Sequence, residues 1–310
     1  MSINPDFSEH ITEDQFMPWE GESVAGGWLL RLAAFSRAPN GGNPAGVWIG
    51  ETLPDHDEMQ RIAAKVGYSE TAFVAPLRGV ERTIRYFSPE TEVSFCGHAT
   101  IATGAALGDA DGGGTYRLHT PVGEVLVAVA VRDGVREASL TSVKPEYAPA
   151  GAALVSEALR LLGWSTGDLD PTIPPARAFA GAWHLVLAVA NAGRLADLQY
   201  DFDGLKALML QEGLTTLQLI WREGPTVFRS RNPFPVGGIV EDPATGAAAA
   251  ALGGYLREAD LISAPATILI KQGDDIGRPS RLTLEIPASG GIVVKGTAVS
   301  LDVGRHPRAP

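Results

Sequence analysis

The chain has 310 residues, with 25 Lys and Arg against 36 Asp and Glu for a formal net charge of −11, one cysteine, and hydrophobic residues at 45%. That length buries a full core without staples, and the lone thiol excludes an intramolecular disulfide framework and an all-cysteine metal site. The acidic balance, with no separate basic arm, excludes nucleic acid as the expected partner.

The first 22 residues carry acidic side chains where a secretory signal would start basic and turn apolar. Apolar runs such as Ala247–Leu256 fall far short of the roughly 20 residues of a membrane span. The expectation is a cytoplasmic protein with no membrane partner.

Residues 1–26 mix acids with Pro5, Pro18 and Gly26, and predict an irregular lead-in. Trp28–Phe35 and Ala45–Ile49 read as strands joined through Pro39-Asn40-Gly41-Gly42-Asn43-Pro44, a run of turn residues. A helix follows: Asp55 caps it, Met59, Ile62, Ala63 and Val66 form its apolar stripe, and Gly67 stops it. Thr71–Ala75 and Thr83–Phe87 read as strands. Cys96–Leu107 is a helix of small, uncharged side chains, and a helix apolar on every face is a buried one. Tyr116–His119 and Glu124–Val131 then form strands around a Pro121-Val122-Gly123 turn.

The second half repeats these elements after a helix over Ala152–Leu162 that ends on Gly163. Trp183–Val189 is a strand, Asp203–Glu212 a helix stopped by Gly213, and Leu217–Trp221 and Thr226–Ser230 are strands. Thr245–Leu256 is a second small-residue helix, and Thr267–Ile270 and Arg281–Ile286 close the pattern. The fold class is α+β: two pseudo-repeated halves, each a barrel-like sheet wrapped around a central helix.

Aligning the halves by their punctuation sets Gly67 against Gly213 and Gly97 against Gly246. Three residues past each helix stop stand Glu70 and Thr216; just before each buried helix stand Cys96 and Thr245. Only one side offers a proton-transfer carboxylate. Helix starts present unpaired N–H groups and the positive end of the peptide dipole, so two of them facing a cleft suit a small acidic substrate. His98 can exchange a proton near neutrality, and Asp242 can orient a donor or polarise a substrate amine or hydroxyl. Glu70, His98 and Asp242 are therefore the candidate catalytic residues. Each also has a plain structural reading: a solvated strand-end acid, a first-turn residue bonded to a carbonyl, and a turn cap. Cys96 reads as a small core residue.

Other motifs are incomplete. Gly67-Tyr68-Ser69-Glu70-Thr71 lacks the closing glycine of a hydrolase elbow, and Asn43 stands where a dinucleotide fingerprint needs glycine. Asp109-Ala110-Asp111 before Gly112, Gly113 and Gly114 reads as a turn, because later calcium ligands are missing. The six histidines show no close pair at metal spacing, so neither a metal nor a nucleotide cofactor is expected.

Taken in order, Gly42-Asn43-Pro44-Ala45, Ser69-Glu70-Thr71-Ala72-Phe73, Phe87-Ser88-Pro89, Cys96-Gly97-His98-Ala99-Thr100, Glu241-Asp242-Pro243-Ala244-Thr245-Gly246 and Gln272–Ser280 with its Gly277-Arg278-Pro279-Ser280 ending resemble the PhzF family of phenazine-biosynthesis-like isomerases. The resemblance runs from about Leu29 to Gly304. It implies the diaminopimelate-epimerase-like fold, with the active site between two similar domains. Those domains would be 27–145 plus 292–310, and 146–291, the C-terminal strand near Ile292–Val303 returning to the first.

It also implies a cofactor-independent isomerase and a homodimer. In the phenazine enzyme the glutamate matching Glu70 moves a proton between carbons of trans-2,3-dihydro-3-hydroxyanthranilate. His98 and Asp242 match substrate-contacting residues, and Gly97 and Gly246 the helix-start glycines. Asn43, Gly97, His98, Asp242, Gly246 and Ala247 form the expected substrate-binding set.

Two departures matter. Ala247 stands where the phenazine enzyme has serine, and the paired cysteines of related cofactor-independent racemases are reduced to Cys96 facing Thr245. The alternatives are a single-base epimerase or lyase on this scaffold, or a non-catalytic protein that binds small acids.

Overall fold

The computed structural model describes Trp19 and residues 21–121, 123–132 and 135–301. Its helices are α1 (His56–Val66), α2 (Gly97–Ala110), α3 (Ala152–Leu162), α4 (Ala192–Ala196), α5 (Phe202–Glu212) and α6 (Gly246–Glu258).

In the first half, eight strands pair in a closed ring. Gly27–Ala34, Asn43–Gly50, Thr71–Arg78, Glu81–Phe87, Gly114–Thr120, Gly123–Arg132 and Val135–Thr141 follow one another, and Val293–Ser300 joins the last to the first. The pairings from Gly27–Ala34 to Val135–Thr141 run antiparallel, parallel, antiparallel, parallel, antiparallel, antiparallel.

The second half repeats that order of senses through Ala176–Phe179, Trp183–Ala188, Thr216–Gly224, Val227–Arg231, Ala266–Gln272, Ser280–Ile286 and Val293–Ser300. Glu146–Pro149 extends this sheet beside Ala176–Phe179. Strand Val293–Ser300 is therefore common to both sheets.

The composition of the central helices follows from the space they occupy. Every residue of α2 from His98 to Gly108 is buried. A Cβ at Gly104 would stand 2.6 Å from Val127 Cγ1, and one at Gly108 2.3 Å from Val129 Cγ1, so the first barrel admits only a thin helix. In α6, residues Ala248–Arg257 are all buried, and a Cβ on Gly254 would stand 2.2 Å from Pro145. Within these barrels Ile101, Leu107, Leu252 and Leu256 are almost wholly removed from water, each contributing about 1.5–3 kcal/mol. The interior core is continuous from Leu30 in the first half to Ile286 in the second.

Separate clusters cover the outer faces. α1 packs Met59, Ile62 and Ala63 with Trp48, Phe73 and Phe87, while α3 and α5 pack Leu159, Leu162, Leu205 and Met209 with Leu185, Leu187, Leu217 and Leu219. The punctuation expected from sequence is present. Asp55 accepts from the Glu58 N–H at 2.8 Å, and Gly67, Gly163 and Gly213 end α1, α3 and α5 in the left-handed conformation.

Several sequence expectations change. Within the stretch expected to be irregular, Glu22–Val24 pairs with Gly27–Leu29 as a tight hairpin; residues 1–18 and 20 of that stretch lie outside the described residues. Val135–Thr141, Glu146–Pro149 and Ala176–Phe179 are strands that sequence reading passed over. The alignment of the halves also shifts by one. The first parallel pair is Gly46 with Thr71 in one half and His184 with Thr216 in the other. The counterpart of Glu70 is thus Thr215, because the loop after Gly213 is one residue shorter.

Candidate active site

Three segments of the first half bring side chains to the start of α2. Gly67, with φ of 72°, turns the chain out of α1 so that Tyr68-Ser69-Glu70 leads directly into strand Thr71–Arg78. The Gly46 N–H donates to the Glu70 carbonyl at 3.2 Å, fixing that end of the loop. Cys96 is the cap residue of α2 and makes no capping hydrogen bond. The helix start is held from inside the barrel: the Thr100 hydroxyl donates to the Cys96 carbonyl at 2.7 Å, and the buried Tyr86 phenol meets the same hydroxyl at 2.7 Å.

The result is a close cluster. His98 Nε2 lies 3.4 Å from Glu70 Oε2 and 3.5 Å from Ser69 Oγ, while its Nδ1 lies 3.3 Å from Cys96 Sγ. One donor atom from each of Glu70, Cys96 and His98 falls within 4.8 Å of the others. Cys96 and His98 are each 8% exposed, whereas Glu70 is half-buried. Burial, reinforced by the neighbouring Glu70 and Asp242 carboxylates, pushes the Cys96 thiol well above its ordinary range. At neutral pH Cys96 is therefore a protonated thiol. Gly97 borders open space: a Cβ there would meet nothing within 4 Å.

The second half supplies Asp242 just ahead of α6. Asp242 Oδ2 accepts from the Thr245 hydroxyl at 2.6 Å, and Oδ1 accepts from Asn43 Nδ2 at 2.8 Å, a bond between residues 199 apart. The same Asn43 nitrogen donates to the Ala244 carbonyl at 3.0 Å, so the amide nitrogen of this expected substrate contact holds the two halves together. Gln272 locks the turn, donating to the Asp242 carbonyl at 2.8 Å and accepting from the Thr245 N–H at 3.2 Å. Burial raises the Asp242 carboxyl to about 6, and the nearby Glu70 charge adds to that, against the lowering effects of His98, Thr245 and Asn43.

Arg278 completes the junction. Its guanidinium donates to the Gly42 carbonyl at 3.0 Å and the Gly41 carbonyl at 2.6 Å, and the Gly42 N–H returns a bond to the Pro279 carbonyl at 3.1 Å. A Cβ on Gly41 would stand 2.4 Å from that carbonyl, which is why the loop carries glycine.

The structure thus brings Glu70, His98 and Cys96 together and joins Asn43 to Asp242. Gly97 and Gly246 begin the two central helices, and half-buried Ala247 follows Gly246. Sequence reading did not single out Gln272 or Arg278 as supports, although both lie in the stretch that carries the family resemblance. The convergence of Glu70, Cys96 and His98 was hidden by the 25 residues between the first two. Asp109, once weighed as part of a calcium loop, lies in the last turn of α2 with its side chain buried and ion-paired to Arg136.

This architecture matches known proteins. The model of the phenazine biosynthesis-like proteins, PhzC-PhzF, fits residues 32–304, and the chain belongs to that family. It is 28% identical to an uncharacterised isomerase of Bacillus subtilis (strain 168), covering 87% of this chain and 95% of the relative. It is 32% identical to the trans-2,3-dihydro-3-hydroxyanthranilate isomerase of Pseudomonas chlororaphis, covering 80% and 86%.

A Bacillus anthracis phenazine biosynthesis protein of the PhzF family superimposes with a TM-score of 0.78 at 25% identity, covering 88% of this chain and 96% of that one. A hydroxyproline epimerase from Agrobacterium vitis shares the fold alone, with a TM-score of 0.62 at 13% identity, covering 88% and 90%. The fold is the epimerase-like one. Among the described residues, no helix is long and apolar enough to cross a membrane.

Proposed function

We propose that this isomerase moves a proton within a small, carboxylate-bearing substrate, with Glu70 acting first as base and then as acid and with no cofactor. The observation that carries this reading is an asymmetry. Glu70 and His98 stand 3.4 Å apart at the start of α2, whereas the matching positions at α6 hold Thr215 and Ala247. One carboxyl therefore serves both proton transfers. A carbon–hydrogen bond of the substrate breaks toward the Glu70 carboxylate, the carboxyl exchanges its proton with solvent, and it then delivers a proton to another carbon, so no electrons leave the substrate.

The peptide dipoles at Gly97 and Gly246 favour the substrate carboxylate and the negative charge that develops as the proton leaves. Asp242, which Thr245 and Asn43 hold, binds an amine or hydroxyl of the substrate in this reading. His98 orients the Glu70 carboxylate. The bodies that would close on the substrate are 27–145 with 292–310, and 146–291.

The test is deuterium exchange. In D₂O, trans-2,3-dihydro-3-hydroxyanthranilate and a panel of small cyclic and amino acids are followed by proton NMR with wild type and Glu70→Gln. Deuterium entering one substrate carbon with wild type only is the expected result. Near-normal exchange with Glu70→Gln would overturn the assignment, and no exchange with any compound would favour a protein that binds small acids without turning them over.

A further inference from the structure

We propose that Glu70, Cys96 and His98 form a binding site for a soft divalent cation of the zinc type, held by one thiolate, one imidazole and one carboxylate. Tetrahedral zinc with ordinary bond lengths sets its sulfur and imidazole ligands roughly 3.6 Å apart, and its imidazole and carboxylate ligands roughly 3.4 Å apart. In this chain Cys96 Sγ lies 3.9 Å from His98 Nε2, and that nitrogen lies 3.4 Å from Glu70 Oε2. One donor atom from each residue already lies within 4.8 Å of the other two, and because His98 presents Nδ1 to Cys96 Sγ at 3.3 Å and Nε2 to Glu70, a turn of the imidazole brings one nitrogen onto a cation shared with both.

The donor types also discriminate. A thiolate and an imidazole prefer zinc or cobalt over magnesium or calcium, which take oxygen ligands. The charges close as well: a thiolate and a carboxylate neutralise a divalent ion, so the buried complex carries no net charge to desolvate. Binding breaks the Cys96 S–H bond and forms a sulfur–metal bond, and the proton leaves to solvent. Three protein ligands leave a fourth position for water or a substrate oxygen, next to the open space at Gly97. At the matching place on α6, Thr245, Ala247 and Thr215 offer no such set.

One consequence rests on the function proposed above: a cation seated on Glu70 removes the base, so zinc is a reversible inhibitor. The probe is Co²⁺ titrated into the full chain and followed by absorption, which reports coordination without reference to turnover. A sulfur-to-cobalt charge-transfer band saturating at one ion per chain is expected.

Cys96→Ser should abolish the band and weaken binding on the order of 100-fold, and Glu70→Gln and His98→Asn should each weaken it by about tenfold or more. Circular dichroism checks that each variant is folded. Absence of the band in wild type, or equal affinity in folded Cys96→Ser, would overturn the site. Zn²⁺ should then stop deuterium exchange, and a chelator restore it. A normal cobalt band with exchange untouched by zinc would leave the metal site standing and remove Glu70 from the chemistry.

Discussion

The two halves share strand order and sense but differ in what they do with buried polar groups. In the first half, Glu70, Cys96 and His98 gather at the open start of the central helix. In the second, the buried polar residues bind one another behind it. His184 Nδ1 meets the Thr216 hydroxyl at 2.8 Å, Asn232 donates to Gln218 Oε1 at 2.6 Å and to Thr216 at 3.2 Å, and Ser230 donates to Asn232 at 2.8 Å.

Beside this network the Arg231 guanidinium grips Glu241 and the Ala196 carbonyl, with the pair's side chains 9% and 2% exposed. Burial pushes His184 down to about 3, so it stays neutral across the ordinary pH range. In the reading proposed above, duplication of the fold leaves one copy to supply the proton-transfer carboxylate while the other holds a buried polar network, a division that strand topology alone does not reveal.

The sharpest way to break that comparison is to move the acid across it. Glu70→Gln should cost at least about 10²-fold in deuterium exchange. Adding Thr215→Glu should not restore it, because Ala247 stands where the first half has His98. Recovery measured by the same NMR assay would show that the halves are chemically interchangeable.

The structural role of the second half is tested by Glu241→Gln, which strips the partner charge from buried Arg231. Urea denaturation should show a loss of about 3 kcal/mol or more. A loss below about 1 kcal/mol would mean that the pair is dispensable.

Asp242 gives a pH test that separates the two kinds of polar group. Its carboxyl is raised from 3.8 to about 6, so the folded chain holds a proton that the unfolded chain releases first. The stability from this group is complete below pH 4 and falls as pH rises through 6, by roughly 3 kcal/mol in all. Asp242→Asn lacks this slope. Denaturation at pH 4.5 and pH 7.5 should therefore move in the variant's favour at the higher pH, and parallel curves would refute the raised carboxyl.

The smallest effect is expected from Ala247→Ser, which adds one hydroxyl at the start of α6. It should change the affinity for a substrate carboxylate by no more than about tenfold, the worth of one hydrogen bond, read from KM with kcat held nearly constant.

What was legible in the sequence follows from what is local. Gly67, Gly163 and Gly213 announce helix ends because each takes a positive φ, and the small residues of α2 and α6 announce burial because nothing larger fits beside Val127 or Pro145. The strand Val135–Thr141 was missed although Asp133-Gly134 is a hairpin dipeptide, since Arg136 shares the face of buried Ala138 while Glu137 and Ser139 lie on the other, so no clean apolar–polar alternation appears.

Glu70, His98 and Asp242 were identifiable as chemistry-bearing types, and the family motifs supplied their order. Their supports were not identifiable from local pattern. Asn43 reaches Asp242 across 199 residues, and Arg278 reaches Gly42 across 236. No periodicity records a contact of that span. The one-residue offset that pairs Glu70 with Thr215 likewise emerges only from the strand register.

Strand Val293–Ser300 also bears on how the chain comes into being. It is the seam between Gly27–Ala34 and Val135–Thr141, so the first barrel lacks a stave until the chain has been synthesised through Ser300. Domains commonly fold as units during translation, N-terminal first. This topology withholds that option: until the last strand arrives, two unpaired sheet edges face the solvent of a growing chain, and they are filled in the same step that ties the first barrel to the second.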